Sequence, residues 1–276
     1  MDLQLRGKRA LVTGGSRGIG KAVARVLAEE GAAVALLARE RTRLDAAAAE
    51  IAAATGAKVV GVVADTTSDA AVKEGVAEAM RALGGTIDIL VNAAAEPAGF
   101  AAPPALGEIR GEYLHAELDT KVMGYIRCAR EVVPGMKSQG FGRIVNISGL
   151  ASRQTGNTVG SIRNVAVAAL TKNMADELGP SGIQVTVVHP GVTRTERTAP
   201  LVAVRAQAAG RAEAEIEAQM AATNSIHHIV SAEEVAWVVA FLCSPKSRAI
   251  NGDAIAAGGG APSAAGGSHP NRRAAR

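Results

Sequence analysis

Short apolar runs alternate with longer segments of helical period along most of the chain. Residues 9–12, 33–38, 58–64, 87–92, 143–147, 184–188 and 253–257 are dominated by Val, Ile, Leu and Ala. Runs with no consistently polar face predict strands buried on both sides, as in a parallel sheet covered by helices. Residues 20–30, 40–55, 69–83, 116–139, 164–178 and 232–242 predict the helices between them. This regular β–α order predicts an α/β fold, a doubly wound parallel sheet inside a three-layer αβα sandwich. No linker breaks the order, so a single domain over residues 1–260 is expected. Residues 195–231 stand outside the alternation. They are rich in Ala and Glu and partly helical. They read either as a lid or substrate loop over the sheet's carboxyl edge, or as a plain helical insertion. Residues 261–276 are rich in Gly, Ser and Ala and predict a flexible tail.

Composition narrows the function. Of 276 residues, 48% are hydrophobic but only 2% are aromatic, so the core must be aliphatic. That excludes an aromatic-cage module and a single-strand binder that stacks bases on rings. The tyrosines are Tyr113 and Tyr125, a short supply for an enzyme that uses a phenol as its acid. The net charge is +4, but the basic residues are interleaved with 26 acids. Without a basic stripe, no nucleic-acid partner is expected. No apolar run reaches membrane-spanning length and no signal-peptide core is seen, so a cytoplasmic protein off the membrane is expected. Cys128 and Cys243 lie far apart without metal-ligand spacing, so neither a disulfide nor a metal site is expected.

The strongest local signal is Thr13-Gly14-Gly15-Ser16-Arg17-Gly18-Ile19-Gly20, between the first predicted strand and the first helix. Glycines allow a tight turn and close backbone approach to a pyrophosphate, and the helix N-terminus adds free N–H groups. The second strand ends in Leu37-Ala38-Arg39. An acid at that place would bind the adenosine ribose hydroxyls of NAD; a guanidinium suits the 2′-phosphate of NADP. Arg39, with Arg17 from the turn, favours NADP(H) over NAD(H).

These motifs, taken with others in the same order, resemble the short-chain dehydrogenase/reductase family over about residues 5–260. The Gly14–Gly20 turn has that family's T-G-x-x-x-G-x-G form. Asp65-Thr66 closes the third strand, where the family's acid holds the adenine amino group. Asn92-Ala93-Ala94-Ala95 stands where the family has N-N-A-G. Pro190-Gly191-Val192-Thr193-Arg194-Thr195 matches the P-G-x-x-x-T loop that meets the nicotinamide carboxamide. The resemblance therefore implies a Rossmann-type fold. It implies cofactor contacts from Gly14, Ser16, Arg17, Gly18, Ile19, Gly20, Arg39, Asp65, Thr66, Asn92, Ala93, Ala94, Pro190, Gly191, Thr193 and Thr195. It also implies a homodimer or homotetramer.

The resemblance stops at the reacting residues. The family uses a Tyr to move the proton and a Lys four residues on to lower its pKa. A Ser orients the carbonyl, and an Asn on the preceding long helix anchors a water relay. Here the Tyr position is Gly160 and the Lys position is Asn164. The Ser position falls on Gly149, beside Ser148, and the Asn position on Lys121. Lysine stands where Asn belongs and Asn where Lys belongs. Either Lys121 reaches the same pocket and pairs with Asn164, or it extends to solvent from a decayed site. Ser148, Lys121 and Asn164 are the candidate catalytic residues. Tyr125, Tyr113, His115, Arg163, His227 and His228 are the other polar groups considered. Two functions follow from this pattern. One is an NADP(H)-dependent oxidoreductase moving a hydride between the nicotinamide and a carbonyl or alcohol of an unidentified small molecule. The other is a catalytically impaired homologue that acts as a nucleotide-dependent binding or regulatory protein.

Overall fold

The computed structural model describes residues 1–95 and 102–262. Seven strands form its main sheet: β1 (Arg9–Thr13), β2 (Ala33–Ala38), β3 (Val59–Val63), β4 (Ile89–Asn92), β5 (Gly142–Ile147), β6 (Ile183–Pro190) and β9 (Ala254–Ala257). The order across the sheet is β3-β2-β1-β4-β5-β6-β9, and every pair is parallel. Successive strand residues enter opposite cores. Ala10, Val12, Val34 and Leu36 join one apolar cluster, while Leu11, Ala35 and Leu37 join the other. Burial on both faces explains the absence of a polar stripe in these strands.

Helices α1 (Gly18–Glu29), α2 (Arg41–Thr55) and α9 (Ala232–Cys243) cover the first face. Helices α3 (Asp69–Leu83), α5 (Gly124–Gln139) and α6 (Thr158–Leu178) cover the second. This is the Rossmann-type three-layer sandwich expected. Two predicted helices need correction. The segment expected as one helix over 116–139 begins earlier, as α4 (Gly111–Leu118). A π-helical turn, Asp119–Met123, then joins it to α5. Helix α6 starts six residues before its predicted first residue, 164, because the Asn157 side chain caps it by accepting from Gly160 N at 2.8 Å.

Residues 195–231 make an excursion with its own small core. Strand β7 (Thr193–Arg194) leads out and β8 (Val230–Ser231) returns parallel beside it. Between them α7 (Thr198–Ala209) and α8 (Glu213–Ala221) pack through Val202, Ala206, Ile216 and Met220. Of the expected tail, residues 263–276 lie outside the described residues. The Pro262 carbonyl accepts from Gln154 Nε2 at 2.9 Å. Among the described residues, no helix is long and apolar enough to cross a membrane.

The strand order reverses between β1 and β4. Chains leaving their carboxyl ends diverge to opposite faces there and open a crevice, the usual binding place in such sheets.

Candidate active site

A cleft of about 1880 Å³ opens at that crevice. Its floor is the glycine turn between β1 and α1. Gly14 has φ +66°, and a Cβ there would lie 2.9 Å from the Ala93 carbonyl oxygen. A Cβ on Gly20 would run into the Gly14 carbonyl. Only glycine permits both approaches. Thr13 ties the turn to the loop after β4, its Oγ1 accepting from Ala93 N at 3.0 Å and Ala94 N at 3.2 Å. The turn residues Gly14, Ser16, Arg17, Gly18, Ile19 and Gly20 all line the cleft, as do Ala93 and Ala94 opposite.

Arg39, Asp65 and Thr66 line one end of the cleft, where β2 and β3 finish. The Asp65 Oδ1 accepts from Thr67 N at 2.9 Å and from Thr67 Oγ1 at 2.8 Å. Partial burial pulls its carboxyl pKa upward. The Thr67 hydrogen bonds, with Arg39 and Arg127 nearby, outweigh this and hold it below the ordinary value. Both bonds fall on one oxygen, so Oδ2 keeps acceptor capacity. Pro190, Gly191, Thr193 and Thr195 line another stretch of the wall. Asn92 differs from its neighbours. It is fully buried, does not line the cleft, and donates from Nδ2 to Asn146 Oδ1 at 3.0 Å. It links β4 to β5 behind the site instead of facing it.

Lys121 sits in the π-helical turn and is 4% exposed. Its ammonium donates to the Ser148 carbonyl at 2.9 Å and to Asn164 Oδ1 at 3.1 Å. An ammonium has three protons, and these acceptors use two of them. Lys121, Ser148, Gly149 and Asn164 share the cleft wall. Burial pulls the Lys121 pKa down to about 7; the Arg163 charge adds to this and Glu117 opposes it. Arg163 and Glu117 form an ion pair between α6 and α4, with side chains 13% and 11% exposed. Two bridges thus join the same helical rods, one charged pair and one lysine–amide pair.

The neighbouring glycines fit this arrangement. A Cβ on Gly149 would meet Asn164 Nδ2 at 2.9 Å, so the missing side chain at 149 makes room for the amide. A Cβ on Gly160 would meet Asn157 Nδ2 at 2.7 Å, so a side chain there would push out the cap of α6. Ser148 Oγ donates to the Asn164 carbonyl at 3.0 Å. Its own proton is spent, which leaves it as an acceptor.

The other polar candidates are placed as follows. Tyr125 is buried, does not line the cleft, and donates to the Ile147 carbonyl at 2.8 Å. Burial drives its phenol pKa far above the ordinary value. Tyr113 and His115 are exposed and outside the cleft. His227 lines it, whereas His228 Nε2 sits 2.9 Å from Glu234 Oε2. Arg163 also lines it. Among the described residues, no cluster of His, Cys, Asp and Glu is arranged to hold a metal ion.

Comparison with known proteins places this site in a family. The family model for enoyl-(acyl carrier protein) reductase matches residues 14–261. The short-chain reductase protein NovJ of Streptomyces niveus is 34% identical over 255 residues, covering 92% of this chain and 93% of NovJ. The chain belongs to the short-chain dehydrogenase/reductase family. Among solved structures, the L-sorbose reductase of Gluconobacter frateurii, complexed with NADPH and L-sorbose, superposes with a TM-score of 0.87. It is 30% identical, and the match covers 95% of this chain and 98% of that one. An NAD+-bound xylitol dehydrogenase superposes with a TM-score of 0.83 at 29% identity, covering 93% and 100%.

Three further residues shape this short-chain dehydrogenase/reductase site. Glu117 stands one helical turn before Lys121 and looks like a surface acid. Asn157 is hidden in a Gly-Asn-Thr loop signature that also suits a helix cap. His189 precedes the Pro190 loop, is 1% exposed, and lies 3.3 Å by Nδ1 from the Ser152 hydroxyl. Burial, with Arg153 and Lys121 nearby, holds its pKa down to about 4, so it is neutral at pH 7.

Proposed function

We propose that this chain is an NADP(H)-dependent oxidoreductase that moves a hydride between the nicotinamide and a carbonyl or alcohol carbon of a small organic substrate. Lys121 is its proton donor. The observation that carries this reading is a buried ammonium on the cleft wall, held by Asn164 and Ser148, with a pKa pulled down to about 7. A general acid works best when its pKa lies near the working pH.

The residues fit a dinucleotide. The Gly14 and Gly20 approaches form a cradle that a Cβ would fill. The α1 N-terminus supplies N–H groups for a pyrophosphate. Arg39 and Arg17 border the same cleft and suit a 2′-phosphate. The neighbouring structures carry NADPH in one case and NAD+ in the other, so the NADP(H) preference rests on these arginines. Thr193, Thr195 and the Pro190-Gly191 backbone would take the carboxamide end.

When bound, the cofactor supplies or takes up the hydride. In the reductive direction, the Lys121 ammonium gives a proton to the substrate's carbonyl oxygen. The neutral amine then regains a proton from solvent. In the oxidative direction, the neutral amine accepts the hydroxyl proton. Asn164 Oδ1 fixes the amine's position, and Ser148 Oγ accepts from a substrate hydroxyl. Exposed Tyr113, Met123, Ile162 and Val165 lie along α4 to α6 and support a homodimer or homotetramer through this face. We place the protein in the cytoplasm, acting on a small molecule, without nucleic-acid or membrane partners.

The test pairs binding with turnover. NADPH and NADH are titrated by fluorescence, then cofactor oxidation is followed with a panel of carbonyl compounds. Tighter NADPH binding and turnover that is lost in Lys121→Ala support the reading. NADPH binding without turnover on any compound, unchanged in Lys121→Ala, supports the nucleotide-dependent binding protein instead.

A further inference from the structure

Glu196 immediately follows Thr195 and precedes α7, at the root of the 195–231 excursion. Its carboxylate lies across the glycine turn. Gly18 N donates to Glu196 Oε1 at 2.9 Å and to Oε2 at 3.2 Å. Gly18 opens α1 with φ +56°, in the turn that the pyrophosphate of a dinucleotide must approach. A carboxylate matches a phosphate oxygen in charge sign and acceptor capacity, and a helix N-terminus favours either. The two anions therefore compete for one donor in one small volume.

The acid is held there by its flanks. Thr195 N donates to Thr198 Oγ1 at 2.9 Å, and Thr198 N donates back to the Thr195 carbonyl at 2.9 Å. This reciprocal pair fixes the bend between β7 and α7. From there α7 packs on α8 through Val202, Ala206, Ile216 and Met220. Both segments border the cleft, through Leu201 and Met220. The excursion is thus fastened to the glycine turn across 178 residues of sequence by a contact on the pyrophosphate's own ground.

We propose that Glu196 is a built-in competitor for the dinucleotide's pyrophosphate. It accepts from the Gly18 N–H and gives that donor up when the cofactor's pyrophosphate seats, releasing the root of the excursion. The inference rests on the dinucleotide-binding part of the function proposed above, and not on the role of Lys121. Glu196 is exposed, so its hold is modest and exchange with a phosphate is easy.

Isothermal titration of the full chain and its Glu196→Gln and Glu196→Ala variants tests this, with circular dichroism to show that each variant folds. NADPH is one probe. Adenosine 2′-monophosphate, which has no pyrophosphate, is the other. The variants are expected to bind NADPH about three- to tenfold more tightly, equivalent to about 0.6–1.4 kcal/mol. Their affinity for adenosine 2′-monophosphate stays unchanged. Equal or weaker NADPH binding in both variants overturns the inference, and so does an equal gain for both probes. If neither the parent chain nor the variants bind NADPH, the dinucleotide reading itself fails and takes the inference with it. Binding with identical constants overturns the inference alone.

Discussion

Lys121 is only 4% exposed, burying its charge costs stability, and Lys121→Met measures that cost. Burial lowers its pKa from 10.5 to about 7 in the folded chain. Between those values the unfolded chain holds a proton on Lys121 that the folded chain has lost. Stability therefore rises with pH across this window, with a slope of up to about 1.4 kcal/mol per pH unit for one proton. Integrated from about 7 to 10.5, the difference is about 5 kcal/mol, fully lost below pH 7, where both states are charged. Methionine keeps most of the volume and does not titrate. Its stability has no such slope. Below pH 7 it is also relieved of the charge, although the Ser148 carbonyl and Asn164 Oδ1 lose a donor, about 1–3 kcal/mol for each one left unsatisfied. Urea unfolding at pH 7.5, 8.5 and 9.5 reads the slopes directly. The parent chain should gain stability relative to Lys121→Met by roughly 1 kcal/mol per pH unit. Parallel pH dependences for the two proteins would show that Lys121 is not a depressed, buried ammonium, and the argument for it as the acid would fall.

Other perturbations separate the neighbouring groups. Glu117 raises the Lys121 pKa, so Glu117→Gln lowers it further. The alkaline fall of the reductive rate should move to lower pH, read from the pH profile of NADPH oxidation. Tyr125→Phe removes only the hydrogen bond to the Ile147 carbonyl. It should lose about 1 kcal/mol in urea unfolding while turnover stays near the parent value. Arg39→Asp replaces a phosphate partner with a ribose-hydroxyl partner. NADPH affinity should fall about ten- to a hundredfold relative to NADH in fluorescence titrations.

The sheet was legible because strands buried on both faces have no polar register to disguise them. Residues 33–38 and 143–147 read as strands and form β2 and most of β5. Helix starts were harder. The cap of α6 is an asparagine in a Gly-Asn-Thr stretch, which predicts a loop as readily as a helix start. The π-helical turn was hidden, because one extra residue per turn leaves the helical period nearly intact over so short a span. The glycine turn was visible through its spacing, yet its occupant was not. Glu196 meets Gly18 across 178 residues, a distance over which local pattern carries no information. The proximity of Lys121 to Asn164 could be posed as a question only because both stand at family positions with their types exchanged. Glu117 and Arg163, two charged residues of ordinary surface type, gave no sign that they would pair beside them.

The central claim is that Lys121 carries the proton in place of the absent tyrosine. The most direct measurement is the single-turnover rate of NADPH oxidation from pH 5.5 to 9, for the parent chain and Lys121→Met, on a carbonyl compound that the parent reduces. The parent rate should be flat at low pH and fall as pH rises through about 7. Lys121→Met should be slower by about 10²- to 10⁴-fold, with that fall gone. A variant that reduces the same compound at the parent rate, with the same pH profile, would contradict it.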